Sequence, residues 1–278
     1  MSTGTNGAGG DGINVKKSNP MKAIFPYLVV VLCLTIAFAV FYTIFASPDN
    51  FEGGDPEKGH PLNLFGTIYK GGFVIPFGMG INLMVWVFFI ERLITIFFMA
   101  KGRSSADVFV QKIRILLKEG KIQEASDACD QQKGSLANVV KAGLAKYMEV
   151  DKDSTNDKEH NREAIQKELE EATTLELPML EKNLSILATI ASLGVLVGLF
   201  GTVLGMIKAF QALATAGAPD ATALATGISE ALINTALGIG TSMFAIIFYN
   251  FFTTQIDGLT YRIDEAGYSI VQTYETTH

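Results

Sequence analysis

ATALATGISEALINTALGIGTSMFAIIFYNFFTTQ, residues 221 to 255, contains a single charged side chain, Glu230, with nine uncharged residues before it and 26 after it. A membrane-spanning helix needs about 20 mostly apolar residues at 1.5 Å rise each, and this run meets that length. So do three others: residues 23 to 48, 71 to 90 and 183 to 207 carry no charge. Of the 50 charged residues in the 278-residue chain, 30 lie between Lys101 and Lys182. Segregation of this kind excludes an ordinary soluble domain. It predicts an all-α integral membrane protein with four transmembrane helices, a cytoplasmic helical domain, and long helices extending from the membrane.

The orientation follows from basic residues near the span ends, because Lys and Arg are retained on the cytoplasmic side. Residues 1 to 22, rich in Gly and Ser with Lys16, Lys17 and Lys22, read as a disordered cytoplasmic tail. Residues 23 to 48 exceed the roughly 7 to 15 residues of a signal-peptide core and read as an uncleaved extra helix. Residues 49 to 71, with Asp49, Glu52, Asp55 and Glu57, form a periplasmic loop. A span over 72 to 99 returns the chain to Lys101, Arg103, Lys112 and Arg114. Residues 100 to 182 form the cytoplasmic domain, with Val108, Phe109, Ile113, Leu116 and Leu117 on one helical face and Leu136, Val139, Val140, Leu144 and Tyr147 on another. Residues 150 to 162 form a mobile loop, and Pro178 kinks the helix that follows. Spans over 183 to 213 and 221 to 253 flank a periplasmic turn at 214 to 220, and residues 254 to 278 are a cytoplasmic tail. Both termini lie inside.

The net charge is −6 with no basic block, which excludes a nucleic-acid footprint. Cys33 and Cys129 stand too far apart in sequence and setting to form a disulfide, and His60, His160 and His278 share no metal-ligand spacing. No GxxxxGK[ST] run or nucleophile elbow is present, so neither nucleotide binding by such a loop nor hydrolytic chemistry has support. No cofactor, metal or catalytic residue is expected.

Glu230 is the residue on which a function can be built. A charged group near the bilayer centre costs about 2.5 to 3.5 kcal/mol on insertion scales, so it must face a cavity, a partner or water. A carboxyl removed from water resists ionisation, which brings proton uptake and release within reach of ordinary pH. At 100° per residue, Thr226, Asn234, Leu237 and Thr241 lie within about 40° of Glu230, a narrow polar stripe along an apolar helix. Thr235 lies about 140° away and faces an adjacent helix. On the preceding span, Gly194, Gly198, Gly201 and Gly205 recur at spacings of four, three and four, a packing stripe that lets two backbones approach closely. Thr202 lies beside it. Lys208 and Asp220 belong at the outer interface, where Lys snorkels. Glu91 and Arg92, adjacent and on different helix faces, read as two separate groups reaching the cytoplasmic headgroups.

The stretches LELPMLEKNLSILATIAS (175 to 192), GLFGTVLGM (198 to 206) and GISEALINTALGIG (227 to 240), with IERL (90 to 93), resemble the ExbB/TolQ branch of the MotA/TolQ/ExbB proton channel family over roughly residues 72 to 270. The resemblance implies an inner-membrane stator subunit that forms a homo-oligomer, a pentamer, around a dimer of a single-span ExbD/TolR-like partner. It implies proton-motive-force-driven work on a TonB-like protein that spans the periplasm, energising transport across the outer membrane. It assigns Glu230 as the membrane glutamate and Thr202 and Thr235 as pore threonines; Asn234 and Thr241 extend that ion pathway. A second titratable group would come from an aspartate on the partner helix. TolQ-like envelope maintenance and MotA-like motility are alternatives within the class, and a non-conducting membrane scaffold is the alternative outside it. The first span has no counterpart in three-span ExbB and TolQ chains. A proline frequent after the last motif is missing from GTSMFAIIFYN (240 to 250), and Asn234 stands where a small apolar residue is expected.

Overall fold

The computed structural model describes residues 20–57, 59–100, 102–152, 157–214 and 220–277. Among these residues the chain is all-α, and four helices are long and apolar enough to cross a membrane. It is an integral membrane protein by that architecture. The readings placed on residues 1 to 19, on 153 to 156 of the loop between helices, and on 215 to 219 of the turn before the last span lie outside the described residues.

Helix α1 (Pro20–Val40) widens into a π-turn over Phe41–Phe45. It buries Val29, Cys33, Ala37 and Phe41, a stripe of period four on one face, and leaves Tyr27, Val31 and Ile36 exposed. That stripe packs on α3 (Ile75–Ile94), where the absence of a side chain at Gly80 admits Leu34. The intervening loop is built around Asn50, buried at 6% exposure. Its amide donates to the carbonyls of Ile44 (2.8 Å) and Phe45 (3.1 Å), and its carbonyl accepts from Asn63 (2.8 Å). Asn63 in turn caps the short helix α2 (Leu64–Tyr69) through Gly66 N. Phe41 stacks on Tyr69 and Phe51 packs edge-on against it, so the loop is fastened to the end of α1.

Helix α3 continues as a π-helical turn over Thr95–Ala100. Four helices follow: α4 (Ala106–Lys118), α5 (Ile122–Gln132), α6 (Ser135–Lys152) and α7 (Lys158–Glu181). They pack with the C-terminal half of α9 (Ala221–Thr277) around Phe109, Ile113, Leu117, Leu136, Val140, Leu144, Ile165, Ile263 and Ile270, all buried. Val108, expected on the buried face of α4, is 60% exposed; Val110 replaces it, because the face centred on Phe109, Ile113 and Leu117 lies on its side of the helix. The expected tail at 254 to 278 is helical: α9 runs unbroken for 57 residues, about 86 Å at 1.5 Å per residue. Its distal half is held by Tyr274, whose ring packs edge-on against Tyr147 and whose hydroxyl accepts from Asn161.

Pro178 lies inside α7 without ending it. The break falls later, at Lys182 and Asn183, where Asn183 has φ +65°, a left-handed conformation that Asn tolerates better than most residues. Helix α8 (Leu184–Ala214) then begins. The break is stabilised from α3. Arg92 is 2% exposed and donates Nε and Nη2 to the two carboxylate oxygens of Glu91, both at 2.7 Å, and Nη1 to Leu180 O at 3.1 Å. Asn183 Nδ2 donates to the same carboxylate at 3.3 Å. The expectation that these neighbours act separately is thus corrected. They leave the helix about 100° apart, yet the long guanidinium arm folds back to offer its fork to the carboxylate, and the orphan carbonyl at the end of α7 fixes it there.

Breaking a buried pair strands a charge, at about 3 to 5 kcal/mol. Arg92→Met is therefore expected to lower unfolding stability by that amount, measured by thermal unfolding in detergent, and Glu91→Gln with Arg92→Met together to cost less than Arg92→Met alone. Burial, with Asp130 beside it, pushes the Cys129 thiol up to about 12. The thiolate is the nucleophile, so a maleimide at pH 8 is expected to leave Cys129 unmodified in the folded Cys33→Ala protein and to label it on unfolding.

Candidate functional site

Helices α8 and α9 approach through facing small residues. All four glycines of the α8 stripe are buried. A Cβ at Gly201 would lie 2.4 Å from the side chain of Asn234, one at Gly205 would lie 2.7 Å from Ala231 N and Gly227 O, and one at Gly238 on α9 would lie 2.5 Å from Gly194 O. No side chain fits between backbones this close, so the glycines determine how near the two spans run. The stripe therefore also sets how near Asn234 and Thr235 of α9 lie to α8.

Glu230 is 4% exposed. It lies about 15 Å along the helix axis from Asp220, roughly half of the ~30 Å hydrocarbon thickness. Lys208 Nζ donates to both of its oxygens, at 2.7 Å to Oε1 and 2.9 Å to Oε2. Lys208 was expected to snorkel outward. It comes from α8, in contact with α9 along its length, and its long stem lets the ammonium reach a carboxylate on the neighbouring helix. On the other side Gly72, at φ +77°, presses its backbone on the carboxylate: a Cβ there would fall 2.1 Å from Oε1. Only glycine meets both conditions at that position.

Asn234, one turn further on, is 3% exposed and donates to Gly71 O at 2.7 Å and to Glu230 O at 2.9 Å. It joins α9 to the end of the 46–74 loop. Thr202 and Thr235 share a hydroxyl–hydroxyl hydrogen bond across the α8–α9 contact. A backbone carbonyl of its own helix also lies within reach of each hydroxyl, Gly198 O for Thr202 and Ala231 O for Thr235, so one hydroxyl donates to the other and the second donates to its own helix. Thr241, 1% exposed, donates to Leu237 O and accepts from Asn82 of α3 at 3.1 Å. The five polar residues singled out in the sequence thus lie at the α3–α8–α9 junction. They are not one row: Thr202 and Thr235 meet across the α8–α9 contact, Asn234 lies against Gly201 of α8 and donates to the loop at Gly71 O, and Thr241 meets Asn82 of α3.

A cavity of about 830 Å³ reaches Glu230 from the end of the bundle that carries the 46–74 loop. Its walls include Glu57, His60, Lys70, Lys208 and Asp220. Asp220 caps α9 by accepting from Thr222 N and Ala223 N, and Lys70 donates to Glu57 O. The sequence reading missed Lys208, Gly72 and Asn82 as parts of the site. One signal was available for Lys208: it is the only Lys or Arg between Lys182 and Arg262. Nothing local marked Gly72, whose role depends on a loop folding back over another helix.

Gly205→Ala is expected to force α8 and α9 apart and to lower stability by about 1 to 3 kcal/mol, measured by thermal unfolding of the purified protein; Gly240→Ala, where a Cβ would meet nothing within 4 Å, is the matched control and is expected to be silent.

The family described as the MotA/TolQ/ExbB proton channel family matches residues 131–265. The chain is 30% identical over 160 residues to the biopolymer transport protein ExbB of Pseudomonas putida, covering 58% of this chain and 48% of that protein. It is 28% identical over 164 residues to the Tol-Pal system protein TolQ of Pseudomonas aeruginosa (59% of this chain, 71% of that protein). It is 29% identical over 158 residues to the ExbB of Salmonella typhimurium (55% and 65%). The chain thus spans about half the length of the Pseudomonas putida relative. The matched family segment contains the α8–α9 hairpin with its glycine stripe and Glu230, and the relatives are ExbB and TolQ proteins: over residues 131–265 this chain matches the MotA/TolQ/ExbB proton channel family, and the proteins it is similar to are of the ExbB/TolQ branch.

Proposed function

We propose that the chain is the ion-conducting, stator-type subunit of an energy-transducing membrane complex, with Glu230 as the carrier of a proton. The observation that carries this reading is a carboxylate almost wholly buried in an apolar span yet reached by a polar cavity from one membrane face. A carboxylate kept there at a cost of several kcal/mol has to be used or be compensated. Beyond it, Asn234, the Thr202–Thr235 pair and Thr241 with Asn82 provide hydrogen-bonding groups within otherwise apolar helices, as a relay of ions or water requires.

The cavity end is the outer face in this reading, and the α4–α7 domain with both termini is cytoplasmic; the basic residues flanking the spans on that side support it. The membrane is then the inner one of a cell with an outer membrane. Exposed apolar residues on α8 and α9, among them Leu196, Leu199, Phe200, Leu232 and Ile239, support burial against further copies of the chain, as a pentamer, and against a dimer of a single-span ExbD/TolR-like helix. That helix supplies the second titratable group, an aspartate. The membrane potential contributes about 2.3 kcal/mol per charge per 100 mV, converted to work on a TonB-like partner for transport across the outer membrane. Relatives named for biopolymer transport and for the Tol-Pal system match at nearly equal identity, so envelope maintenance is the second reading, separated from the first by which partner the complex binds.

Glu230→Gln keeps the shape and most hydrogen bonds of the side chain. It is expected to abolish ion flux and energised work in membranes where expression, oligomerisation and partner binding match wild type. Full flux would overturn the carrier role and favour a scaffold.

A further inference from the structure

Lys208 stands where a transported cation has to stand. Its ammonium lies against both oxygens of Glu230, at 2.7 and 2.9 Å, and 54% of the lysine side chain is accessible against 5% of the glutamate's. Elsewhere the carboxylate is enclosed: the Gly72 backbone covers Oε1, and the side chain as a whole is 5% accessible. Its open side faces the cavity, and the ammonium occupies that side.

Two features make this more than an anchoring contact. Lys carries a compact point charge on a flexible four-carbon stem, so it can leave the carboxylate without moving the backbone. The same cavity is lined by two other acids, Asp220 at the start of α9 and Glu57 of the loop, beside the bases His60 and Lys70. A proton or a sodium ion on Glu230 and the Lys208 ammonium cannot both occupy the site.

We propose that Lys208 is a tethered cation that closes the carrier site: it fills the cation position on Glu230 in the resting subunit and swings into the cavity, toward Asp220 and Glu57, when an ion takes its place. Lys208 keeps its proton throughout. The arriving cation replaces the ammonium as the partner of Glu230, and the ammonium is re-paired by a cavity acid, so the charge in the site is conserved. Lys208 is a positioning residue that acts through Glu230, and the proposal rests on the carrier reading.

The test is labelling of the full-length chain in membranes with dicyclohexylcarbodiimide, which modifies an uncharged carboxyl and spares one held as a carboxylate in an ion pair. Glu230→Gln sets the background. Lys208→Met is expected to speed labelling of Glu230 at neutral pH by at least about tenfold, and Lys208→Arg, which keeps the charge, to label at the wild-type rate. A lysine that acts by packing alone would not give rescue by charge, and a fixed ion pair would label at one rate with or without an imposed inward ion gradient, whereas a displaceable one is expected to label faster when the gradient is applied; equal rates with and without it overturn the displacement. If Lys208→Met fails to assemble, Lys208→Gln reports the same comparison with a polar head. Equal labelling in wild type and the neutral variants overturns the proposal. Labelling concerns only the pair, whereas ion flux persisting in Glu230→Gln overturns the carrier reading, so the two failures are told apart.

Discussion

The close approach of α8 and α9 is the constraint on which the rest of the structure depends. Gly194, Gly198, Gly201 and Gly205 face Gly227, Ala231, Asn234 and Gly238 with no room for a further methyl group. Lipid is as apolar as leucine, so helices in a membrane gain little from the hydrophobic effect and associate through packing and hydrogen bonds. Small residues let the backbones come near enough for short polar side chains to reach across. The Thr202–Thr235 hydrogen bond exists for that reason, and Lys208 can reach Glu230 for the same one.

Two ion pairs sit within this apolar framework and serve different ends. Glu91 and Arg92 are neighbours in sequence, and their pair is completed by Leu180 O and Asn183 at the α7–α8 break. Each of the three guanidinium nitrogens has a fixed partner, as a joint requires. Glu230 and Lys208 come from different helices, and one of the two opens onto a polar cavity. A pair whose cation has solvent and other acids within reach can exchange. The same chemistry, a carboxylate with a base, thus gives a rigid joint at one site and a displaceable contact at the other, according to what surrounds the base.

The 46–74 loop links the first span to the surroundings of Glu230. Asn50 and the Phe41–Tyr69–Phe51 aromatic group fasten it to α1, and its far end places Gly71 and Gly72 against Asn234 and Glu230. The first span therefore contributes to the site without contributing a side chain to it: it holds the loop whose backbone closes over the carboxylate.

Much of this was legible along the chain, because lengths and periodicities are local properties. The four spans are written in their uncharged runs, the importance of Glu230 in its isolation, and the α8 packing stripe in glycines spaced four, three and four. Asn183 rather than Pro178 as the break, the Glu91–Arg92 fork, Lys208 on Glu230 and Gly72 beneath it were decided by tertiary structure. Each joins groups from different helices or depends on a long side chain choosing among partners, and spacing along one helix cannot say which neighbour lies opposite. The sequence by itself determined that a carboxylate would be buried in a membrane helix, since the apolar residues around it leave the chain no other course. The tertiary structure alone decided which cation meets that carboxylate and from which side, because that depends on where a second helix and a distant loop pack against the first.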